Sequence, residues 1–218
     1  MYRICGFTGE SSNSIGKAGL IGMLNPIEHR GPLEEGIYYN QYVGLGMRRL
    51  SIIDVENEKQ PIHNERNDIL VVFNGEIYNY INLRQILRGK GHCFYTDSDT
   101  EVIVHLYEEY EERFVNYLNG IFAIAVWDGI NNKMIIARDR IGVKPLYYCI
   151  KDNTLIFASE IKALLNCEFK REVNLKGLST FIQYRDILGE QTIFKDIYKL
   201  MPGHMLSYEN NKITSLFF

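Results

Sequence analysis

Between Gly120 and Asp128 the chain reads Ile121-Phe122-Ala123-Ile124-Ala125-Val126-Trp127, a run with no polar residue. Successive side chains of a strand point to opposite faces, so a strand with this sequence must be covered on both sides. That requirement selects a layered fold in which a sheet is packed both in front and behind. Further short apolar runs predict strands at Ile4-Gly9, Ile37-Tyr39, Val43-Leu50, Ile69-Phe73, Met134-Ala137, Leu146-Ile150, Leu155-Ala158, His204-Tyr208 and Ile213-Phe217. Asp128-Gly129, Asp152-Asn153 and Asn210-Asn211 supply hairpin-type turns between several of them.

Helical spacing is expected at about Asn13-Leu24, Asn79-Arg88, Asp99-Tyr110, Arg113-Leu118, Ile161-Leu165 and Leu175-Gln183. In the third, Val102, Ile103, Leu106 and Tyr110 form one apolar stripe, and Glu101, Glu108, Glu109 and Glu111 are expected on the opposite, solvated side. No low-complexity linker or repeat divides the chain, so residues 1–218 read as one domain. The pattern is α+β: hairpin-linked antiparallel strands in two packed sheets with few, outer helices. Propensity alone leaves other α+β layerings open.

The net charge of -3 offers no footprint for nucleic acid or for an anionic membrane surface. No run approaches the roughly 18 apolar residues of a membrane span, and the start lacks the apolar core of a signal peptide. Cys5, Cys93, Cys149 and Cys167 are widely spaced, with no C-x-x-C pair and no neighbouring histidines at ligand spacing. Neither a disulfide scaffold nor a metal site is expected, and a reducing cytoplasm is the default setting.

Ordered motifs narrow the reading. They are Cys5-Gly6-Phe7, Arg30-Gly31-Pro32, Met47-Arg48-Arg49-Leu50-Ser51-Ile52-Ile53-Asp54, Phe73-Asn74-Gly75-Glu76-Ile77-Tyr78-Asn79-Tyr80, Asp97-Ser98-Asp99-Thr100-Glu101, and Ala137-Arg138-Asp139-Arg140 with Gly142-Val143-Lys144-Pro145-Leu146-Tyr147-Tyr148. From Cys5 to the end the chain resembles the glutaminase domain of glutamine-dependent asparagine synthetases. That domain is a class II glutamine amidotransferase, an N-terminal nucleophile hydrolase. The resemblance implies a four-layer αββα sandwich. One departure is local: Leu33 stands where the family usually has aspartate after Arg-Gly-Pro.

The resemblance also implies a site. Cys5 would attack the glutamine side-chain amide while its own α-amine shuttles the proton, through a γ-glutamyl thioester. Without the family, a cysteine there reads as a small buried hydrophobe. The Asn74 amide and the Gly75 backbone N–H would form the oxyanion hole, although Asn-Gly is also the favoured pair of a two-residue hairpin turn. Arg49 would fork onto the substrate α-carboxylate; period two lets only one of Arg48 and Arg49 enter the pocket, and two solvated arginines are the alternative. Glu76 and Asp99 would receive the α-ammonium, beside backbone at Ile52 and Ile53. Asp99 could equally cap the following helix. His29 is expected to be structural, Tyr78, Tyr80, Tyr147 and Tyr148 to belong to the core, and Asp139 and Arg140 to form a loop-fixing ion pair.

Met1-Tyr2-Arg3-Ile4 precede Cys5, and any preceding residue turns the catalytic amine into an amide. Unmasking requires an endoprotease, self-cleavage, or initiation at codon 4. The leading expectation is glutamine hydrolysis, with ammonia passed to an ATP- and magnesium-dependent synthetase domain that is absent here, since no Gly-Gly-x-Asp-Ser pyrophosphate loop occurs. The glutaminase itself needs no cofactor. Expected partners are glutamine and a synthetase domain or subunit, with a homodimer as one assembly. The competing expectations are a blocked amidotransferase fold acting as glutamine sensor or structural partner, and the glutaminase of an amidotransferase making amino sugars or purines.

Overall fold

A computed structural model describes residues 2–30, 34–49, 59–167 and 171–218. Its strands form two six-stranded sheets in which every pairing is antiparallel. The first contains β1 (Tyr2–Gly9), β2 (Glu34–Tyr39), β3 (Val43–Arg49), β8 (Tyr147–Lys151), β9 (Thr154–Ala158) and β10 (Tyr198–Lys199), in the order β10-β8-β9-β1-β3-β2. The second contains β4 (Ile62–His63), β5 (Ile69–Ile77), β6 (Gly120–Asp128), β7 (Lys133–Arg138), β11 (His204–Glu209) and β12 (Lys212–Phe217), in the order β12-β11-β7-β6-β5-β4.

Three apolar clusters show how the layers stack. Leu70, Val72, Ala123, Ala125 and Trp127 from the second sheet meet Ile4, Leu45, Met47 and Phe157 from the first, which makes this the layer between the sheets. Alternate residues of β5 and β6, including Val71, Phe73, Ile124 and Val126, face outward under α2 (Tyr80–Gly89), α3 (Glu101–Tyr110) and the 3-10 segment Glu111–Tyr117. Phe7, Ile156 and Ala158 of the first sheet are covered by α1 (Ser12–Leu24) and α4 (Ile161–Leu164). The apolar run of β6 is therefore buried on both faces. The expected αββα sandwich is present, with α5 (Leu175–Tyr184) beside it. No helix among the described residues is long and apolar enough to cross a membrane.

Several local expectations need correction. α1 is interrupted at Gly16, whose φ of 61° leaves the helical region. Asp152-Asn153 and Asn210-Asn211 do form tight hairpins, both residues of each pair having positive φ. Asp128-Gly129 does not. Asp128 pairs with Lys133 across a longer loop, and its carboxylate accepts from the N–H groups of Ile130 and Asn131. Strand β5 runs on through Asn74-Gly75-Glu76 to Ile77, because β6 supplies a partner for each residue and overrides their poor strand propensity. Glu101 is fully buried in α3, where its carboxylate accepts from the N–H groups of Tyr95 and Thr96. Asp139 fixes its loop by accepting from the backbone N–H groups of Ile141, Gly142, Val143 and Lys144. Arg140 turns away, donating to the Leu118 carbonyl and lying over the Phe218 ring.

Candidate active site

Strand β1 carries Cys5 in its middle. Gly46 flanks it on β3 and Ala158 on β9. Period two sends Ile4 into the layer between the sheets and Cys5 to the helix-covered face, among Leu20, Met23 and Leu24. The thiol is fully buried, and burial pushes its pKa far above the ordinary thiol range; Cys167 and Glu35 add to this, and Arg48 opposes it. Cys149, buried in the same cluster, is shifted up for the same main reason. Neither is a thiolate at neutral pH in this arrangement.

The residues ahead of Cys5 are part of the sheet. Ile4 donates its N–H to Ser159 Oγ at 3.0 Å, and its carbonyl accepts from the Ser159 N–H at 2.8 Å. Arg3 donates from Nε to Glu160 Oε1 at 2.9 Å, with both side chains largely buried. Tyr2 is paired opposite Arg49.

Arg48 and Arg49 do part to opposite faces. Arg48 lies on the Cys5 side, paired with Glu35 at 2.5 Å. Arg49 continues the series Val43, Leu45, Met47 toward the layer between the sheets; it reaches Glu34 Oε2 at 3.5 Å and lies over the Tyr2 ring. Neither is a solvated edge arginine.

Asn74 shares the inter-sheet face of Leu70 and Val72 and is 1% exposed, yet neither its Oδ1 nor its Nδ2 has a hydrogen-bond partner among the described residues. Orphaned buried amides are rare because each costs about 1–3 kcal/mol. The hairpin alternative fails, since Asn74 and Gly75 pair with Ala123 and Phe122 of β6 inside a continuous strand. A side chain at position 75 would strike the Ile121 carbonyl oxygen, 2.1 Å from the ideal Cβ position.

Phe122 turns both its backbone groups toward Asp139, accepting from the Asp139 N–H and donating to its carboxylate. The facing residue Gly75 therefore directs its own N–H away from β6. Along that edge of β5, which β4 pairs only at Leu70 and Val71, Asn64 Oδ1 accepts from Ile69, Gln60 Oε1 from Phe73 and Asp99 Oδ2 from Ile77. Gly75 has the same parity, and no side-chain or loop acceptor among the described residues meets its N–H.

Gly75 and Glu76 open into a pocket of about 400 Å³ lined also by Ile77, Tyr78, Tyr80, Asp97 and Asp99. Asp99 does not act as the helix cap. Its carboxylate reaches back 2.7 Å to the Ile77 N–H, and Thr100 occupies the cap position. Tyr78, expected in the core, is instead exposed at this pocket; its place two residues after Glu76 at the strand end is the signal that could have revealed it. Tyr80, Tyr147 and Tyr148 pack partly buried against the three clusters.

Of the expected residues, the structure thus groups Gly75, Glu76 and Asp99 at one pocket, puts Asn74 and Arg49 in the layer between the sheets, and turns Cys5 to the outer face. Ile52, Ile53, Leu33 and the His29 side chain lie outside the described residues.

Residues 4–218 match the glutamine amidotransferase domain family. The chain belongs to that family. Asparagine synthetase [glutamine-hydrolyzing] 1 of Bacillus subtilis (strain 168) is 39% identical over 206 residues, which is 92% of this chain and 33% of that protein. Asparagine synthetase [glutamine-hydrolyzing] 2 of the same organism is 50% identical over 147 residues, 67% of this chain and 19% of that protein. The chain thus spans about a third, or less, of the length of these relatives. The structure of glutamine phosphoribosylpyrophosphate amidotransferase from B. subtilis, solved with ADP and GMP, superposes with a TM-score of 0.68 at 19% identity, covering 99% of this chain and 49% of that one. At that identity the likeness is one of fold. It extends the expected amidotransferase sandwich to both sheets.

Proposed function

We propose that this domain hydrolyses glutamine to glutamate and ammonia, and that it does so once Cys5 becomes the first residue of the chain. The observation that carries this reading is the pair of adjacent donors at Asn74 and Gly75: a buried side-chain amide with no partner, next to an N–H that points off a free strand edge. Two unoccupied donors suit an oxygen that becomes negative only during reaction, and each such donor typically contributes about 3–4 kcal/mol.

The α-amine of Cys5 takes the thiol proton, and sulfur attacks the glutamine side-chain carbonyl carbon. The tetrahedral oxyanion, held by Asn74 and Gly75, collapses; the C–N bond breaks, and the amine's proton leaves with ammonia. Water then cleaves the γ-glutamyl thioester, releasing glutamate and restoring the thiol. Arg49 would hold the α-carboxylate, and Glu76 with Asp99 the α-ammonium, next to backbone at Ile52 and Ile53. The ammonia would serve a synthetase partner, as the names of the asparagine synthetase relatives suggest.

A second reading has one observation in its favour. Arg3 and Ile4 are built into the sheet and paired with Glu160 and Ser159, as a permanently retained segment would be. In that case the domain is a blocked amidotransferase fold that binds glutamine or a partner without turnover. Mass spectrometry of the N-terminus of natively expressed protein, combined with a glutaminase assay, separates the two. Hydrolysis by chains that begin at Cys5 supports the enzyme. Native chains that all retain residues 2–4 and release no ammonia overturn it.

A further inference from the structure

Glu65, His92, His105 and Glu108 converge from separate parts of the chain. Glu65 lies in the loop between β4 and β5, His92 follows α2, and His105 and Glu108 are one turn apart on α3. One ligand atom from each lies within 4.8 Å of all the others. We propose that these four residues form a divalent transition-metal site, best suited to zinc, with a structural role.

The spacing matches a metal. A tetrahedral ion with bonds of about 2.0–2.1 Å holds its ligand atoms about 3.3 Å apart. His105 Nδ1 lies 3.2 Å from Glu108 Oε2 and 3.5 Å from Glu65 Oε2. His92 Nδ1 lies 3.5 Å from Glu108 Oε2 and 3.7 Å from Glu65 Oε1. All four ligand atoms lie within 4.8 Å of one another, so binding an ion would draw the widest pair together by up to about 1.5 Å.

The outer groups are those that hold metal-binding histidines. Each ring turns Nδ1 to the centre; His92 Nε2 meets Glu109 Oε1 at 3.2 Å, while the buried His105 Nε2 faces Glu101 Oε1 at 3.6 Å, just beyond hydrogen-bond distance. Such partners fix the ring orientation and raise the basicity of the ligating nitrogen. Glu108 is likewise held, its Oε1 accepting from Asn64 Nδ2 at 2.9 Å while Oε2 faces the centre. The Cys93 N–H donates to Glu65 Oε1 at 2.7 Å.

Donor chemistry narrows the ion. Two imidazoles exclude a preference for calcium or magnesium, which favour all-oxygen shells, and the absence of thiolate in the set disfavours copper(I) and iron–sulfur chemistry. Two carboxylates neutralise a divalent charge. Four protein ligands leave no position for a substrate, so the ion would tie the β4–β5 loop to α3, the helix that follows Asp99.

The test uses the full chain, stripped with a chelator and titrated calorimetrically with zinc, then with cobalt(II) as a spectroscopic stand-in. The expected result is one zinc per chain with a raised Tm, and tetrahedral cobalt bands without a thiolate charge-transfer band. His92→Gln and Glu65→Gln, both near the surface, should each weaken zinc binding by about tenfold or more while the metal-free proteins keep the parental Tm. Cys93→Ser should bind as the parent does. Absence of saturable one-to-one binding, unchanged affinity in both variants, or a charge-transfer band that disappears in Cys93→Ser overturns the site. None of these readouts depends on glutamine hydrolysis.

Discussion

The guanidinium carbon of Arg49 lies 5.3 Å from the centre of the Tyr2 ring, across the rung that pairs β1 with β3. A cation over an aromatic face is worth about 0.5–2 kcal/mol as it becomes desolvated. The group proposed to grip the substrate carboxylate is therefore in contact with the segment that precedes the proposed nucleophile. Taking away residues 1–4 would free the Cys5 amine and uncover Arg49 in one event.

A chain made to start at Cys5, for example by cleaving a fusion immediately before it, should release ammonia from glutamine, and the chain starting at Met1 should not. Peptide mapping after iodoacetamide treatment gives a second readout: the full chain should label at exposed Cys93 and resist at Cys5, and the shortened chain should label at both. Equal labelling of Cys5 in the two forms would contradict the masking.

Replacing Asn74 should separate stability from activity. Asn74→Leu removes a buried amide with no partner, so Tm should rise by about 2–4 °C, corresponding to roughly 1 kcal/mol in a chain of this size. Turnover by the Cys5-starting form should fall by about a hundred- to a thousandfold. Thermal melts and steady-state rates on the same preparation decide it; a large loss of Tm would make Asn74 structural.

Alkaline pH should destabilise the full chain. The pKa of Cys5 is raised in the folded protein above its ordinary value of 9.0, by burial first, and that of Tyr148 is pushed from 10.0 to about 12, again mainly by burial. A group with a raised folded pKa contributes fully below its unfolded pKa and loses that contribution as pH rises toward the folded one. Tm should hold to about pH 9 and then fall. Cys5→Ala should flatten the first part of that decline.

Arg3→Ala should loosen the start of β1 by breaking the pair with Glu160, at a cost of about 1–3 kcal/mol for a mostly buried contact. Iodoacetamide should then reach Cys5 faster than in the parent, as timed mass spectra would show. Unchanged protection would locate the barrier in Ile4 and the ladder alone.

Much of this was legible in the sequence because the signals were periodic. The all-apolar run of β6 demanded two covered faces, and the alternating strands and Asn-Asn turn followed from the same rule. What failed was whatever depends on a neighbour. The strand that reads as ending at Phe73 runs on to Ile77 because β6 pairs with it, and Glu101 looks solvated until Tyr95 and Thr96 donate to it. Cys5 was legible as a position but not as a geometry, since strand alternation turns its side chain to the helix-covered face and away from Asn74. The His92, His105 and Glu108 convergence left only a His-x-x-Glu step on α3 as a trace, because Glu65 and His92 arrive from loops.

Ile4 is wholly buried, and both its backbone groups are bonded to Ser159. Burial of such a side chain alone holds it by about 1.5–3 kcal/mol, so only a small minority of molecules would have this strand end peeled away at any moment, and peeling would still leave the Cys5 nitrogen acylated. Glutamine concentration cannot change that bond. Under the proposed mechanism, access to Cys5 would be a one-time covalent event in the history of each polypeptide, and a population of these molecules would divide sharply into competent and incompetent chains, with no graded response between them.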